Sequence, residues 1–203
     1  MANTRKWIVG TLGFLTGGPL GTIAALALEK VNVSSSKEGL IADVDKKSDI
    51  LEGQRNGFQF SLVLLSSYII QADNQILPSE INFVTDFILR NYGDKAAKEA
   101  TELLYKILEE RKKNKEHEWK YKLSKCCYQL TEYLTEEQLN LLIAFLIKIV
   151  KADNDVADEE LACLHEVCDW LHVSHQKVDE MENEQEENLM AIYENIFDFT
   201  DLF

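Results

Sequence analysis

Four carboxylates occupy equivalent positions in two copies of one sequence motif. Residues 69–81 read IIQADNQILPSEI, and residues 149–161 read IVKADNDVADEEL, eighty positions later. In each copy a Glu stands seven residues after the Asp of Ala-Asp-Asn. The four residues are Asp73, Glu80, Asp153 and Glu160. Carboxylate oxygens are hard ligands that suit Ca²⁺, Mg²⁺ or Mn²⁺, so a packing that brings the two copies together predicts a divalent-cation site.

The second copy contains one further candidate ligand, Asp155. Asp153 and Asp155 match the first two ligand positions of an EF-hand loop. However, Ala157 stands at the third position and Leu164 stands where the bidentate Glu is required. The motif is therefore not an EF-hand, and Asp155 is only an additional ligand in the predicted site.

Three interpretations of these carboxylates are open. In the first, the four side chains hold a divalent cation. In the second, they form an acidic docking face for a protein partner, without a metal. In the third, each Asp closes a turn between two helices through an Asx-type hydrogen bond, and each Glu supports the N-terminus of the following helix.

The elements around the motifs predict an all-α protein. Apolar residues make up 46% of the chain, and only two prolines interrupt it. Helices are predicted near residues 58–72, 78–91, 95–113, 116–133, 136–151, 157–171, 174–183 and 186–198. The first and fifth are apolar over most of their circumference, which predicts that they lie at the centre. The duplication predicts that residues 58–93 and 138–173 superpose about a pseudo-twofold axis, with Ile76 and Val156 buried as equivalent anchors.

Local chemistry predicts three helix boundaries. Pro78 suits the first turn of a helix, where Glu80 would face the positive end of the helix dipole. Thr135 and Gln138 have the form of a capping box. Gly93 is placed to end the helix that precedes it.

The N-terminal segment differs in kind from the rest of the chain. Residues 7–28 contain no charged residue, and a helix of that length spans a bilayer core. Gly13, Gly17 and Gly21 fall on one stripe of such a helix, which predicts a homodimer contact through closely packed backbones. The alternative is a hairpin that breaks at the Gly-Gly-Pro sequence 17–19 and is buried against the helical domain.

The chain is thereby divided into four parts. They are a membrane anchor at residues 1–30, which is a span or a hairpin, a polar linker at 31–57, a helical domain at 58–184, and a C-terminal helix and tail at 185–203. The sparse basic residues on either side of the anchor favour an inner-membrane protein with its helical domain in the cytoplasm. A soluble cytoplasmic protein is the alternative.

Composition and motifs argue against several function classes. The net charge is −14, with 35 acidic and 21 basic residues, which argues against nucleic acid as a partner. The sequence has no Gly-rich phosphate loop, no Gly-x-Ser-x-Gly and no His-Glu-x-x-His. We therefore predict a protein that is not an enzyme, with no catalytic or cofactor-binding residues.

The order of a Gly-rich apolar N-terminus, a linker and two Ala-Asp-Asn units resembles the TerB-like (tellurite resistance) domain family. It is most similar to the membrane-anchored TerB-like region of DjlA-type DnaJ co-chaperones. The family's glycine after Ala-Asp is replaced by Asn74 and Asn154, which also tolerate left-handed backbone geometry. The resemblance implies a bundle of seven to eight helices with internal pseudo-symmetry. DjlA-type proteins also contain a J domain with a His-Pro-Asp loop, and because this sequence has no such tripeptide, co-chaperone activity is not carried over.

These features together predict a membrane-tethered interaction or scaffold domain that binds protein partners in a bacterial stress response. The alternative is a divalent-cation sensor of the same fold. A hydrolase of unrecognised type is the most distant third possibility.

Overall fold

The computed structural model of the chain describes residues 18–20, 22–23, 46–153 and 156–182. The helices are α1 (Lys46–Ile70), α2 (Pro78–Tyr92), α3 (Asp94–Arg111), α4 (Glu116–Tyr133), α5 (Glu136–Val150), α6 (Asp158–Leu171) and α7 (His175–Glu182). No strand occurs among the described residues, and the predicted all-α fold is confirmed. The predicted eighth helix, at 186–198, lies outside the described residues.

The first helix is longer than the sequence pattern predicted. It begins at Lys46 rather than near residue 58. Apolar periodicity, on which the prediction depended, starts only at Phe58, whereas a helix that is already formed extends through polar residues at little cost.

Helices α1 and α5 pack against each other at the centre of the bundle. Every residue from 57 to 70 is buried, as is every residue from 141 to 147. The buried hydroxyls of α1 donate to carbonyl oxygens within their own helix: Ser61 to Gly57 at 2.8 Å, Ser66 to Leu62 at 2.5 Å and Ser67 to Leu64 at 2.6 Å. Hydroxyls satisfied in this way can lie in an apolar core without leaving a donor unpaired.

The two hairpins α1–α2 and α5–α6 are the two copies of the repeat. Their contacts are reciprocal, because α1 packs on α6 and α2 packs on α5. Their turns begin in the same way: Ala72 N–H donates to the Ile69 carbonyl, and Ala152 N–H donates to the Ile149 carbonyl, both at 2.9 Å. The predicted pseudo-symmetric pair of helix–turn–helix units is confirmed.

The remaining helices cover this central pair. Helix α3 packs on α1 and α2, α4 packs on α6, and α7 packs on α5. Gly93 ends α2 by donating its N–H to the Leu89 carbonyl at 3.0 Å, and its φ of 84° lies in the left-handed region that favours glycine. The predicted capping box before α5 is also present, with Gln138 N–H donating to Thr135 Oγ1 at 3.2 Å and Thr135 N–H donating to Gln138 Oε1 at 3.0 Å.

Most of the predicted membrane segment, residues 7–28, lies outside the described residues, and so do all three glycines of the predicted dimer stripe. The parts that are described, residues 18–20, 22 and 23, lie against the helical bundle, where Leu20 and Ile23 join its apolar core. None of the helices formed by the described residues is both long enough and apolar enough to cross a membrane.

Candidate functional site

Each repeat positions one glutamate in the first turn of its second helix. Glu80 lies in α2 and Glu160 lies in α6. The residue before each helix is extended and has nearly the same backbone angles, with φ −88° and ψ 140° at Leu77 and φ −74° and ψ 137° at Ala157. The backbone therefore follows equivalent paths into the two helices, and both glutamates lie where the two repeats face each other.

Local hydrogen bonds hold this part of each repeat. Leu77 N–H donates to Glu80 Oε2 at 2.8 Å, and the backbone of Ala157 makes the equivalent bond to Glu160. In the first turn, Asp73 Oδ1 accepts a hydrogen bond of 2.8 Å from Gln75 N–H, which is an Asx turn. The predicted supporting roles of Asp73 and the two glutamates are confirmed by these contacts.

The two glutamates also contact each other across the junction of the repeats. Their exposed fractions are only 1% for Glu80 and 5% for Glu160. The two carboxyl groups lie within hydrogen-bonding range. When both carboxyl groups are ionised, neither can donate a hydrogen bond to the other. Glu80 Oε1 is then a buried oxygen without a hydrogen-bond partner. We refer to Glu80 and Glu160 as the acidic pair.

Burial raises the pKa of Glu80 to about 8. The contact with Glu160 and the charges of Glu160 and Asp73 contribute to this rise, whereas the bond from Leu77 N–H opposes it. Burial also raises the pKa of Glu160, although the bonds from Glu80 and Ala157 oppose the shift. The acidic pair therefore keeps one proton near neutral pH.

All four predicted carboxylates belong to one electrostatic cluster. The charge of Asp73 raises the pKa of both glutamates, and the charge of Asp153 raises that of Glu160. Both aspartates are half-buried. Asp155, the additional candidate ligand, lies outside the described residues.

The described part of the chain has no group of three or more His, Cys, Asp or Glu side chains arranged to hold a metal ion. The acidic pair is in contact, whereas Asp73 and Asp153 act on it through their charge. The predicted cation site therefore stays a prediction.

The prediction that Ile76 and Val156 are buried anchors is wrong. Their exposed fractions are 37% and 44%. Near each turn the buried residue is a glutamate of the acidic pair, at the start of the following helix, whereas the aliphatic residue lies at the surface. Each turn therefore presents one aliphatic side chain at the surface.

A second polar cluster joins three helices, and the sequence analysis missed it. Glu166 on α6 accepts hydrogen bonds from the Tyr68 hydroxyl on α1 and from Lys120 Nζ on α4, the latter at 2.7 Å. Burial raises the pKa of Tyr68, so its hydroxyl stays protonated as a donor. These residues have no common motif, and only the packing of α1, α4 and α6 brings them together.

The cysteines show no sign of an activated nucleophile. All four are free thiols, and Cys126, Cys127 and Cys168 are buried. Burial raises the pKa of Cys126 and of Cys168 to about 12. A reactive cysteine requires the opposite shift, because the thiolate is the nucleophile.

Comparison with known proteins gives one match. Residues 59–183 match the family model described as tellurite resistance protein TerB. Neither the comparison with curated proteins nor the comparison with solved structures found a match. The matched region runs from α1 into the end of α7 and contains both glutamates of the acidic pair.

Proposed function

Because the chain belongs to the TerB family, we propose that it is a non-catalytic interaction domain whose acidic pair responds to a divalent cation. The TerB family is one of non-catalytic helical domains. The observation that carries the proposal is the contact between Glu80 and Glu160, in which Glu80 Oε1 is buried without a partner. A buried oxygen of this kind needs a proton or a cation.

A divalent cation would compensate the acidic pair more completely than a single proton does. Two carboxylates that are close together and shielded from water cannot both ionise without an opposing charge. The oxygen-only chemistry of the cluster suits Ca²⁺, Mg²⁺ or Mn²⁺. Because the cation would displace the shared proton, binding should release protons and should tighten as the pH rises.

The response to the cation would reach the surface through the two turns. Asp73 already uses one oxygen in its Asx turn, and Asp153 is half-buried beside the acidic pair. A cation that recruits either aspartate would move the turn that contains it. Ile76 and Val156 lie in these turns and are exposed, so the cation would rearrange a surface that a partner can contact.

A second candidate function is an acidic docking face that needs no metal. The exposure of Ile76 and Val156 favours it, because each of these aliphatic residues is exposed and stands in the sequence between an Asp and a Glu of the acidic cluster. This combination suits a protein segment that has Lys or Arg between two apolar residues. In that case the partner supplies the positive charge that the cluster lacks.

The remaining parts of the proposal come from the sequence. Residues 1–30 tether the protein to the inner membrane. The segment 31–57, whose residues from Lys46 onward belong to α1, links the tether to the domain at 58–184, and 185–203 form a C-terminal helix and tail. The domain lies in the cytoplasm and serves a stress response, as the similarity to the anchored TerB-like region of DjlA-type proteins suggests.

Calorimetric titration of the full chain with Ca²⁺, Mg²⁺, Mn²⁺ and Zn²⁺, one at a time, tests the cation. We expect heat and proton release with at least one of the first three, and loss of both in the variant Glu80→Gln/Glu160→Gln. The matched control is Glu102→Gln/Glu132→Gln, which changes two exposed glutamates outside the acidic cluster. Equal heats in wild type and in the Glu80/Glu160 variant would refute the cation site and leave the docking face.

A further inference from the structure

The apolar N-terminal segment contacts the helical domain at a defined place. Leu20 is completely buried, and Ile23 is 3% exposed. Both belong to the apolar cluster that contains the central residues of α1 and α5. These two side chains are therefore part of the core, although they precede the first long helix.

Gln129 on α4 forms a polar contact with this segment. Leu20 N–H donates to Gln129 Oε1 at 3.1 Å, across 109 residues of sequence. A short helical turn begins at the same place, since Gly18 O accepts hydrogen bonds from Thr22 N–H at 3.1 Å and from Thr22 Oγ1 at 3.2 Å. The first N–H groups of a helical turn have no partner within it, and Gln129 supplies one from a different helix.

Gly18 is fitted to the same side chain. A Cβ atom at this position would lie 2.3 Å from both Nε2 and Oε1 of Gln129. The Gln129 amide could swing away from a larger residue, but it would then give up its bond to Leu20 N–H. The hydrogen bond between Gln129 and Leu20 N–H therefore depends on residue 18 having no side chain.

We propose that the domain has a binding site for this glycine-rich segment, at residues 18–20, 22 and 23, and that a bilayer competes with the site for it. The segment lies within the uncharged stretch 7–28. Leu20 and Ile23 cannot contact lipid while they are in the core, so the docked and inserted states exclude each other. The docking of the segment on the domain rests on the contacts described above. The competition with a bilayer rests also on the proposed membrane tether.

Two variants of the full chain weaken the docking contact in different ways. Gln129→Ala removes the acceptor for Leu20 N–H without adding bulk. Gly18→Val places methyl groups where the Gln129 amide lies. The control is Glu132→Gln, on the same helix but with an exposed side chain. Thermal unfolding followed by circular dichroism shows whether each variant keeps the helical domain folded, and Gln129→Ala carries the test if Gly18→Val does not.

The first measurement is hydrogen exchange of peptides covering residues 18–23, without lipid. We expect protection in wild type and in the control, and exchange about fivefold faster in Gln129→Ala, the factor that corresponds to one lost hydrogen bond. Rapid exchange in wild type, or exchange that does not change in either docking variant, would overturn the binding site.

The second measurement is flotation with phosphatidylcholine vesicles. We expect a larger vesicle-bound fraction for Gln129→Ala and Gly18→Val than for wild type, with the control unchanged.

If protection depends on Gln129 but none of the proteins floats, the competition and the membrane tether are both wrong, while docking stands. If all proteins float equally, the tether stands and the competition is overturned. The cation titration is unaffected by either result, because it measures a different site.

Discussion

The carboxyl groups of Glu80 and Glu160 meet across the junction of two repeats, although the residues are eighty positions apart in the sequence. Each glutamate accepts a hydrogen bond from the backbone of the residue three positions earlier, so each is first a helix-capping residue. The pseudo-twofold packing then places the two caps against each other. The two glutamates that cap helices within the repeats therefore form an acidic pair between the repeats. Such a pair must bind a proton or another cation.

The acidic pair should make the protein less stable as the pH rises. The folded-state pKa of Glu80 is about 8, above its usual value of 4.5, so the folded protein holds a proton that the unfolded chain has lost. The free energy of unfolding should therefore fall between about pH 5 and pH 8, by on the order of 1 to 3 kcal/mol from this group. Urea unfolding in chelator at several pH values measures it.

Glu80→Gln is the control for this pH dependence. Glutamine cannot ionise, so the variant should lose less stability than wild type over the same pH range and should be the more stable protein at pH 8. A variant whose stability runs parallel to that of wild type would show that Glu80 titrates normally.

Replacing Asp73 and Asp153 together by Asn separates the cation interpretation of the cluster from the other two. Asn retains the size of the side chain and still accepts a hydrogen bond in an Asx turn. In chelator, we expect a melting temperature equal to or higher than that of wild type, because two negative charges near the acidic pair are gone. With Ca²⁺, Mg²⁺ or Mn²⁺ added, wild type should gain stability and the variant should not.

Differential scanning calorimetry with and without each ion provides this comparison. If wild type and the double variant gain the same stability from the ion, neither aspartate is a ligand. If neither protein gains any, the two aspartates serve only the turns or a docking face.

The duplicated sequence motif explains which parts of the acidic cluster could be predicted from the sequence. Equivalent residues near a pseudo-twofold axis approach each other, so the duplicated motif made one cluster with Glu80 and Glu160 one of the three interpretations that the sequence left open. The burial of Ile76 and Val156 was predicted wrongly, because apolar residues are usually placed inside and here the glutamates take the inward positions. Sequence pattern could not have found the contact of Gln129 with Leu20, since it depends on how two unrelated segments pack.

Gly93→Ala should destabilise the fold by about 1 kcal/mol. The cause is backbone strain alone: φ at Gly93 is 84°, and an added Cβ would meet no atom within 4 Å. Gly93→Asn should not cost less, because ψ at Gly93 is 171° and asparagine tolerates positive φ in the αL region, where ψ is about 47°. Chemical denaturation of both variants measures the two costs, and a variant as stable as wild type would show that strain at this residue is not the cause.

Tyr68→Phe should destabilise the protein by about 1 kcal/mol, because Glu166 loses a hydrogen bond from a buried hydroxyl. Lys120→Met should have an effect of similar size, since Lys120 Nζ bonds the other oxygen of the same carboxylate. Their combined cost should differ from the sum of the two, because both act on one group. A double-mutant cycle from urea unfolding tests this, and additive costs would mean that the two bonds are independent.

Replacing Ile76 and Val156 together by Ser should change the free energy of unfolding by no more than about 0.5 kcal/mol for each residue. Both side chains are already more than one-third exposed, so little apolar surface is lost from the core. The matched control is Val84→Ser, since Val84 is 1% exposed and its replacement should cost about 2 kcal/mol or more. Urea unfolding compares the two. A cost for the double variant as large as that for Val84→Ser would mean that the two aliphatic side chains support the core, and it would remove them from the proposed partner-binding surface.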